Sequence, residues 1–590
     1  MITSPASGLT TSSVAGKPSG DGTATAWRLP LAVLIVGMFM SILDISIVTV
    51  ALPTIQNEFG VSTSDSQWVV TAYALTEGVV VPATAWLGDR FGLSRVYNLA
   101  LLGFAGGSAL CGLAWSLDTL VIARVIQALL GGILPTITMT ILLRIVPRDR
   151  LGAALGMYGL GAVVAPAIGP ALGGYLVEYV NWRLIFFINV PVAILGTVAA
   201  ILVLPAFPGR TGRRFDVLGF VTIAGGLFAL LLALSEGADW GWTSYRILGL
   251  FTFSALSLAL FVVIELEVDD PLLDVRVFRY GAFTLSLVLV TFVIVALFVA
   301  AFYIPQFLQL GQGWGALEAG LVVLPPALVM GLLMPVAGQV YDRIGPRWPA
   351  TIGVTIVAFA TYLMHNLTID TSREQIIWWL MFRAVGLGIA MMPIMTAGLA
   401  AIPTAQVNAA SAFNNVAQRT SAALGLAVLT AIFTTQSAQQ LAGRAALLPA
   451  DTSTPHLGGP AVPDWLGVYA LYQQTQLRVF VGALDDLLLI AAGLSAVGVL
   501  GALLMRSGPA PATPARVTAP QQAATPAVPD GAPAVTGTPA GDGGPDRDGA
   551  MRNGAAGRDV VPAGTARDSG TPIRVDGLSS PGAAAGPRDS

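Results

Sequence analysis

The sequence predicts an all-α integral membrane protein of fourteen transmembrane helices, built as two six-helix bundles with an inserted helix pair. Three observations carry that expectation. Of the 590 residues, 55% are apolar and only 11% charged, with a mean hydropathy of +0.74, whereas soluble chains carry about 25% charged residues. Fourteen apolar runs follow one another, of the length needed to cross about 30 Å of hydrocarbon at about 1.5 Å per residue. The chain also repeats itself: Ala85-Trp-Leu-Gly-Asp89-Arg90-Phe-Gly92 is echoed by Gly338-Gln-Val-Tyr-Asp342-Arg343-Ile-Gly345, and Arg124 in the fourth run by Arg383 in the twelfth. Parallel halves of this kind place a transport site near the bilayer midplane.

Residues 1–27, rich in Ser, Thr, Gly and Ala, read as a flexible tail. The first bundle, 28–205, holds runs at about 29–50, 67–87, 96–117, 119–143, 153–177 and 184–204. The first run is too long for a signal peptide and reads as a retained span. A linker over 206–280 contains the inserted pair, about 217–236 and 247–266. The second bundle, 281–505, has runs at about 282–308, 319–341, 349–366, 376–399, 412–434 and 483–505. Pro449, Pro455, Pro460 and Pro463 mark 435–482 as an irregular extracellular loop, and the Ala-, Pro- and Gly-rich segment 506–590 reads as disordered. An even number of spans puts both tails on one side. The arginines between even- and odd-numbered runs (Arg90, Arg95, Arg144, Arg148, Arg150, Arg276, Arg279, Arg343 and Arg347 among them) assign that side to the cytoplasm.

Composition also removes whole classes of function. Cys111 is alone, and His365 and His456 lie far apart, which leaves neither a disulfide framework nor a His- or Cys-based metal site or catalytic set, so the chain does not read as an enzyme. The single lysine, Lys17, is followed by Pro18, and Thr11 stands where the first glycine of a phosphate-binding loop would be. A net charge of −3 gives no footprint for nucleic acid. Any transport must therefore be powered by something other than ATP bound to this chain; the expected source is the transmembrane proton gradient, with no cofactor, and the expected partners are protons, a small-molecule substrate and the lipid bilayer.

A carboxylate inside a span costs several kcal/mol unless it pairs, protonates or faces water. Asp44 is such a group, and Arg124 lies at a similar depth in its own run, so the two are placed to pair across a central cavity, either as a proton carrier or as a permanent structural ion pair. Glu77, near the middle of the second run, is a second proton site or a pore-facing glutamate without a role in turnover. Asp89, Arg90 and Gly92, mirrored by Asp342 and Arg343, fit a breakable latch better than simple topogenic charge, because an acid precedes the arginine twice at matching places. In the fifth run Gly169, Pro170, Gly173 and Gly174 clear one helix face for a close neighbour. Arg383 reads as the mirror of Arg124. With Tyr73, Phe302, Tyr303 and Gln306 it makes up the candidates for the cavity wall.

Taken together these stretches resemble the major facilitator superfamily, and within it the fourteen-span drug:proton antiporters of the EmrB/QacA type. Leu43-Asp44-Ile-Ser-Ile-Val-Thr-Val-Ala-Leu-Pro53 is similar to the first-span signature of that subfamily, and Trp68 and Tyr73 to its second span. Gly88-Asp89-Arg90-Phe-Gly92 resembles the loop between spans 2 and 3, Arg124-Val-Ile-Gln127 the span 4 motif, and Gly169-Pro170-Ala-Leu-Gly173-Gly174 the antiporter motif of span 5. Asn181-Trp182-Arg183-Leu-Ile-Phe-Phe-Ile-Asn189-Val-Pro191 is the most specific match, and the resemblance covers about 28–505. It implies the major facilitator fold and proton-driven export of hydrophobic or amphipathic compounds, that is, multidrug efflux and antibiotic resistance, by a monomer in a bacterial plasma membrane. It further implies Asp44 and Arg124 in proton coupling, Asp89 and Arg90 in gating, the span 5 glycines in antiport, and an inserted pair that joins the halves without lining the path. The residues alone leave two alternatives open: an importer or symporter of a small nutrient, and a non-transporting membrane sensor or adaptor.

Overall fold

Fourteen long helical runs succeed one another in the computed structural model, which describes residues 27–209, 214–446 and 464–506. We number them α1 (Arg28–Phe59), α2 (Thr63–Phe91), α3 (Leu93–Gly112), α4 (Leu117–Ile145), α5 (Leu151–Tyr179), α6 (Leu184–Val203), α7 (Val217–Trp240) and α8 (Tyr245–Glu267). The second half contributes α9 (Gly281–Gly311), α10 (Ala316–Ile344), α11 (Arg347–Met364), α12 (Arg373–Ala400), α13 (Val407–Ala446) and α14 (Asp464–Leu503). Twelve are long and apolar enough to cross a membrane. The other two, α3 and α11, open on arginine-bearing turns (Arg95, Arg347) that lower their average. Several helices start where a side chain satisfies the orphaned amides of the first turn: Ser62 accepts from the Asp65 amide (3.1 Å), Ser116 from Thr119 (3.3 Å) and Ser244 from Ile247 (3.3 Å). Helix α4 is interrupted at Gly132, and α9 ends in a π-helical turn, Phe307–Gly311, just after Pro305.

Helices α1–α6 pack into one bundle and α9–α14 into another, with α5 of the first lying along α10 of the second and α2 along α13. Helix α7 of the inserted pair touches both α2 and α13, so it closes the outside of that seam, while α8 packs on α7. The bundles meet at the end where the two Asp-Arg-x-Gly turns, Asp89–Gly92 and Asp342–Gly345, lie. There α5 and α10 approach backbone to backbone: a Cβ on Gly338 would fall on the carbonyl of Gly152, and one on Gly156 would sit 2.5 Å from Pro335 Cα. Toward the other end this seam runs as far as Gly331, which faces Leu160 and Val164, and from Pro166 onward α5 becomes largely exposed. Gly92 and Gly345 turn the chain at the closed end with φ of 90° and 82°, values that only glycine adopts without strain. At Gly92 a Cβ would also strike the Phe207 carbonyl.

One expectation is corrected. The segment 435–482 is not an irregular loop: α13 continues to Ala446 and α14 begins at Asp464. At 40 residues each, these helices are about 60 Å long and project well beyond a hydrocarbon layer of about 30 Å. The prolines that suggested irregularity fall between them, at 449–463, outside the described residues, as do the tails 1–26 and 507–590.

The backbone contact at the closed end leads to a direct test. Gly338→Val should leave both bundles folded and prevent this end from closing. A cysteine placed at Ala153 should then react with a water-soluble maleimide several-fold faster than in the parent; an unchanged rate would show that the Gly152–Gly338 approach does not govern closure.

Candidate functional site

Five helices of the first bundle bring polar atoms to one buried point. Asp44 on α1 and Arg124 on α4 are both wholly buried and form a hydrogen-bonded ion pair through Oδ2 and Nη1. The second carboxylate oxygen, Oδ1, accepts from Gln127 Nε2 (3.0 Å), three residues along α4, and from Asn189 Nδ2 (2.8 Å) on α6. The same two amides donate to Ser108 Oγ on α3 (3.1 and 3.0 Å), whose own proton goes to the Phe186 carbonyl (2.9 Å). Arg124 also donates from Nε to the Val69 carbonyl (3.1 Å) and from Nη1 to Gln127 Oε1 (2.7 Å), and its guanidinium lies 3.9 Å from the centre of the Tyr73 ring. Among the described residues its Nη2 has no hydrogen-bond partner.

Local packing explains how these groups come so close. A Cβ on Gly107 of α3 would come within 2.5 Å of Gln127 Cα, so only glycine lets α3 and α4 cross at this level. Buried ions are tolerated where hydrogen bonds replace the lost water, and removing one partner strands the other at a cost of about 3–5 kcal/mol. The carboxylate here meets three donors, so a proton on either oxygen would set donor against donor. The pair lies inside the first bundle and does not bridge a central cavity between the bundles, which corrects the expected placement.

Glu77 on α2 is also wholly buried, and its Oε1 accepts from Arg419 Nη2 on α13, an ion pair that joins the two bundles. At the closed end Asp89 accepts from Asn408 Nδ2 of α13 (2.5 Å) and lies 3.8 Å from Arg144, which donates to Asn408 Oδ1 (2.9 Å). Asp342 caps the start of α5, accepting from the amides of Gly152 (2.9 Å) and Ala153 (3.2 Å), where a helix N-terminus favours an anion. In both turns the carboxylate reaches across to the opposite bundle. Arg343 instead lines a cleft of about 470 Å³ with Trp27, Arg28, Asp149 and Arg150.

The fifth helix uses its glycines selectively. A Cβ on Gly169 would strike Ser46 Oγ, and one on Gly173 would sit 2.8 Å from Ile47 Cγ1 and 3.0 Å from its carbonyl, so both hold α5 against α1. Gly174 faces open space and Pro170 is exposed. Among the proposed cavity residues, Tyr73 is packed under Arg124. Arg383 is buried in the second bundle, donating to the Ala296 carbonyl and to Thr361 Oγ1 (3.2 Å). Tyr303 is buried with its hydroxyl on Thr430 Oγ1 (3.2 Å) and its ring 5.0 Å from that of Phe433. None of these three faces open space. Phe302 is exposed and Gln306 half-buried. Sequence reasoning passed over Arg419, Asn408 and Ser108, and gave Asn189 and Gln127 no role beyond their motifs. Arg419 was detectable, being an arginine eight residues into the run at 412–434.

The Major Facilitator Superfamily model matches residues 34–426. Curated relatives include the uncharacterized MFS-type transporter YhcA of Bacillus subtilis (strain 168), 37% identical over 69% of this chain and 76% of the relative. They also include the tetracenomycin C resistance and export protein of Streptomyces glaucescens, 31% identical over 71% and 78%, and the multidrug transporter protein MdtP of Bacillus subtilis (strain 168), 33% identical over 65% and 71%. Two solved structures share the fold: the human organic anion transporter MFSD10 (TETRAN), with a TM-score of 0.52 and 14% identity over 80% of this chain and 99% of that one, and the proton:xylose symporter XylE, with 0.53 and 12% over 83% and 98%. With its paired six-helix bundles, repeated Asp-Arg-x-Gly turns and a matching model over most of its membrane part, the chain belongs to the major facilitator superfamily of transporters.

Proposed function

We propose that this transporter exports amphipathic small molecules in exchange for protons, with Asp44 as the group that carries the proton and Arg124 as its counter-ion. The observation that carries the reading is the buried carboxylate with its arginine and two amides, an expensive arrangement to keep in a membrane helix unless it works. Export as the direction draws support from relatives whose names are those of drug and antibiotic exporters. The arginines beside the closed end support a cytoplasmic assignment for it and for both termini. On that assignment the bundles are closed toward the cytoplasm, as in an outward-facing carrier.

In this arrangement Asp44 is shut off from water, so loading requires α1 to move. Helix α5 supplies the lever. Its first turns, through Gly152 and Gly156, rest on α10 of the second bundle, while Gly169 and Gly173 rest on Ser46 and Ile47 of α1, two and three residues beyond Asp44. Rocking of the bundles therefore acts on the helix that carries the acid. Separating Asp44 from Arg124 in the outward-facing state exposes it to external protons. Return of the loaded carrier delivers the proton inside, with about 2.3 kcal/mol gained per charge per 100 mV. Substrate and proton need not share an atom, since occupancy of one state by either ligand biases the other.

In vesicles reconstituted with a pH-sensitive dye, addition of a panel of amphipathic compounds should drive proton movement. Asp44→Asn should abolish it while the protein still elutes as a folded species; normal flux in that variant would retire Asp44 from the mechanism. Asn189→Ala removes one donor from the carboxylate and should cost about 1–3 kcal/mol of stability, seen as earlier thermal unfolding in detergent. An unchanged melting curve would mean that the amide does not support the pair.

A further inference from the structure

Glu77 and Arg419 form a different kind of pair from Asp44 and Arg124, because their partners sit on opposite bundles. Glu77 is wholly buried and Arg419 is 29% exposed. The second carboxylate oxygen, Oε2, is buried without a hydrogen-bond partner, so the arginine of the other bundle is the hydrogen-bonding counter-ion of Glu77. One to two turns nearer the closed end, Asn414 and Asn415 of α13 meet the first bundle at the thioether of Met139, a weak acceptor, at 3.5 and 4.0 Å, while Asn415 also donates within α13 to the Ser411 carbonyl (2.9 Å); the stronger bonds of Asn408 to Asp89 and Arg144 lie farther along the same seam. On the side of α7, Leu231 packs against Gly78, and α7 spans from α2 to α13, which walls the pair off. The other ionisable groups around Glu77 are Asp44 on α1, Arg124 on α4 and Tyr158 on α5, with Cys111 of α3 behind Arg124. On α2 itself, Tyr73 lies one turn before Glu77, beneath the Arg124 guanidinium.

We propose that the Glu77–Arg419 ion pair is the lock that holds the bundles closed at the end of the two Asp-Arg-x-Gly turns, that a proton on Glu77 releases it, and that Arg419 is the positioning residue that makes the return of the outward-facing carrier depend on proton uptake. This rests on the proton-exchange reading above. The geometry supplies the logic. Arg419 reaches Glu77 only while the bundles are together, so ionised Glu77 binds this arrangement more strongly than the opened one. The proton goes onto the carboxylate, at the free Oε2; the charge is neutralised, the charge-assisted bond becomes an ordinary one, and the preference weakens. An outward-facing carrier that has discharged its substrate then cannot swing back until an external proton arrives. Without the lock it returns empty, and substrate leaks without counter-transport.

The test uses the full chain in nanodiscs, with spin labels on cysteines at exposed Arg95 and Trp348, one on each bundle at the closed end. Wild type should give a short distance at pH 8 and a growing long-distance population at pH 5. Loss of a charge-assisted bond should change the closed-to-open ratio by about tenfold or more. Glu77→Gln should show the long distance at both pH values, and Arg419→Met should do the same. Arg419→Lys, which keeps the charge, should retain the pH response. In vesicles Glu77→Gln should move compound down its gradient without moving protons. A wild-type distance distribution at pH 8 in both Glu77→Gln and Arg419→Met, or a pH response that survives Glu77→Gln, would overturn the lock. The distance measurement needs no transport, so a wild type that responds to pH but exchanges no protons for compound would count against the exporter reading while leaving the lock standing.

Discussion

Hydrocarbon offers a charge no water, so each ion in the spanning part of this chain must find its partners inside the protein. The Asp44–Arg124 pair is the constraint around which the first bundle is arranged. Satisfying it draws in Gln127 from α4, Asn189 from α6, Ser108 from α3 and the Val69 carbonyl from α2. Such a network orders helices whose remaining contacts are apolar and non-directional. It also explains Gly107, since the amide of Gln127 reaches both Asp44 and Ser108 only if α3 and α4 cross without a side chain between them. The second bundle has the mirror arginine, Arg383, bound to the Ala296 carbonyl and Thr361. Among the described residues no carboxylate hydrogen-bonds to it, and this sets the two halves apart chemically despite their repeated sequence.

Helix α5 is the mechanical counterpart of that network. Its glycines are divided between two partners, Gly152 and Gly156 toward α10 and Gly169 and Gly173 toward α1. A close-packed interface transmits displacement instead of absorbing it. A glycine face also permits sliding, because no side chain interlocks. The same helix therefore belongs both to the seam between the bundles and to the wall of the Asp44 site.

Much of this was legible in the sequence because a lone charge in an apolar run is expensive and conspicuous. Asp44, Arg124, Glu77 and Arg383 stood out on that ground, and the two Asp-Arg-x-Gly turns stood out by repetition. The amides did not. Asn189 and Gln127 cost less to bury than an ion, and their role depends on which helix faces which, information that periodicity lacks. Arg419 carried the same signal as Arg124 but sits among Asn414, Asn415 and Gln418, a polar stretch that reads as the edge of a span. The helical extensions of α13 and α14 were hidden for another reason. Four prolines mark only the middle of 435–482, while the Ala-, Gln- and Leu-containing flanks have good helix propensity, which hydropathy ignores. The latch was read from its Asp-Arg repeat with no partner named; in the fold each carboxylate turns to the other bundle, toward Asn408 or the start of α5, a pairing that spans 319 and 190 residues of sequence.

In the proposed exchange the two acids divide the work that coupling requires. A carboxylate whose partners all lie within one bundle, like Asp44, has no hydrogen bond to the other bundle and is linked to its movement only through α5. One whose counter-ion sits on the other bundle, like Glu77, senses closure directly but has little of the polar shell needed to hold charge through the cycle. Placing Tyr73 and Glu77 one turn apart on α2, with the Tyr73 ring under Arg124 and Glu77 bonded to Arg419, sets the two groups side by side on one rigid element. A change in charge at either then alters the field at the other across a short, low-dielectric path. An exchanger that returns only when loaded needs an acid that stores the proton and an acid that reads the state of the bundles, and α2 is the helix on which those two requirements meet.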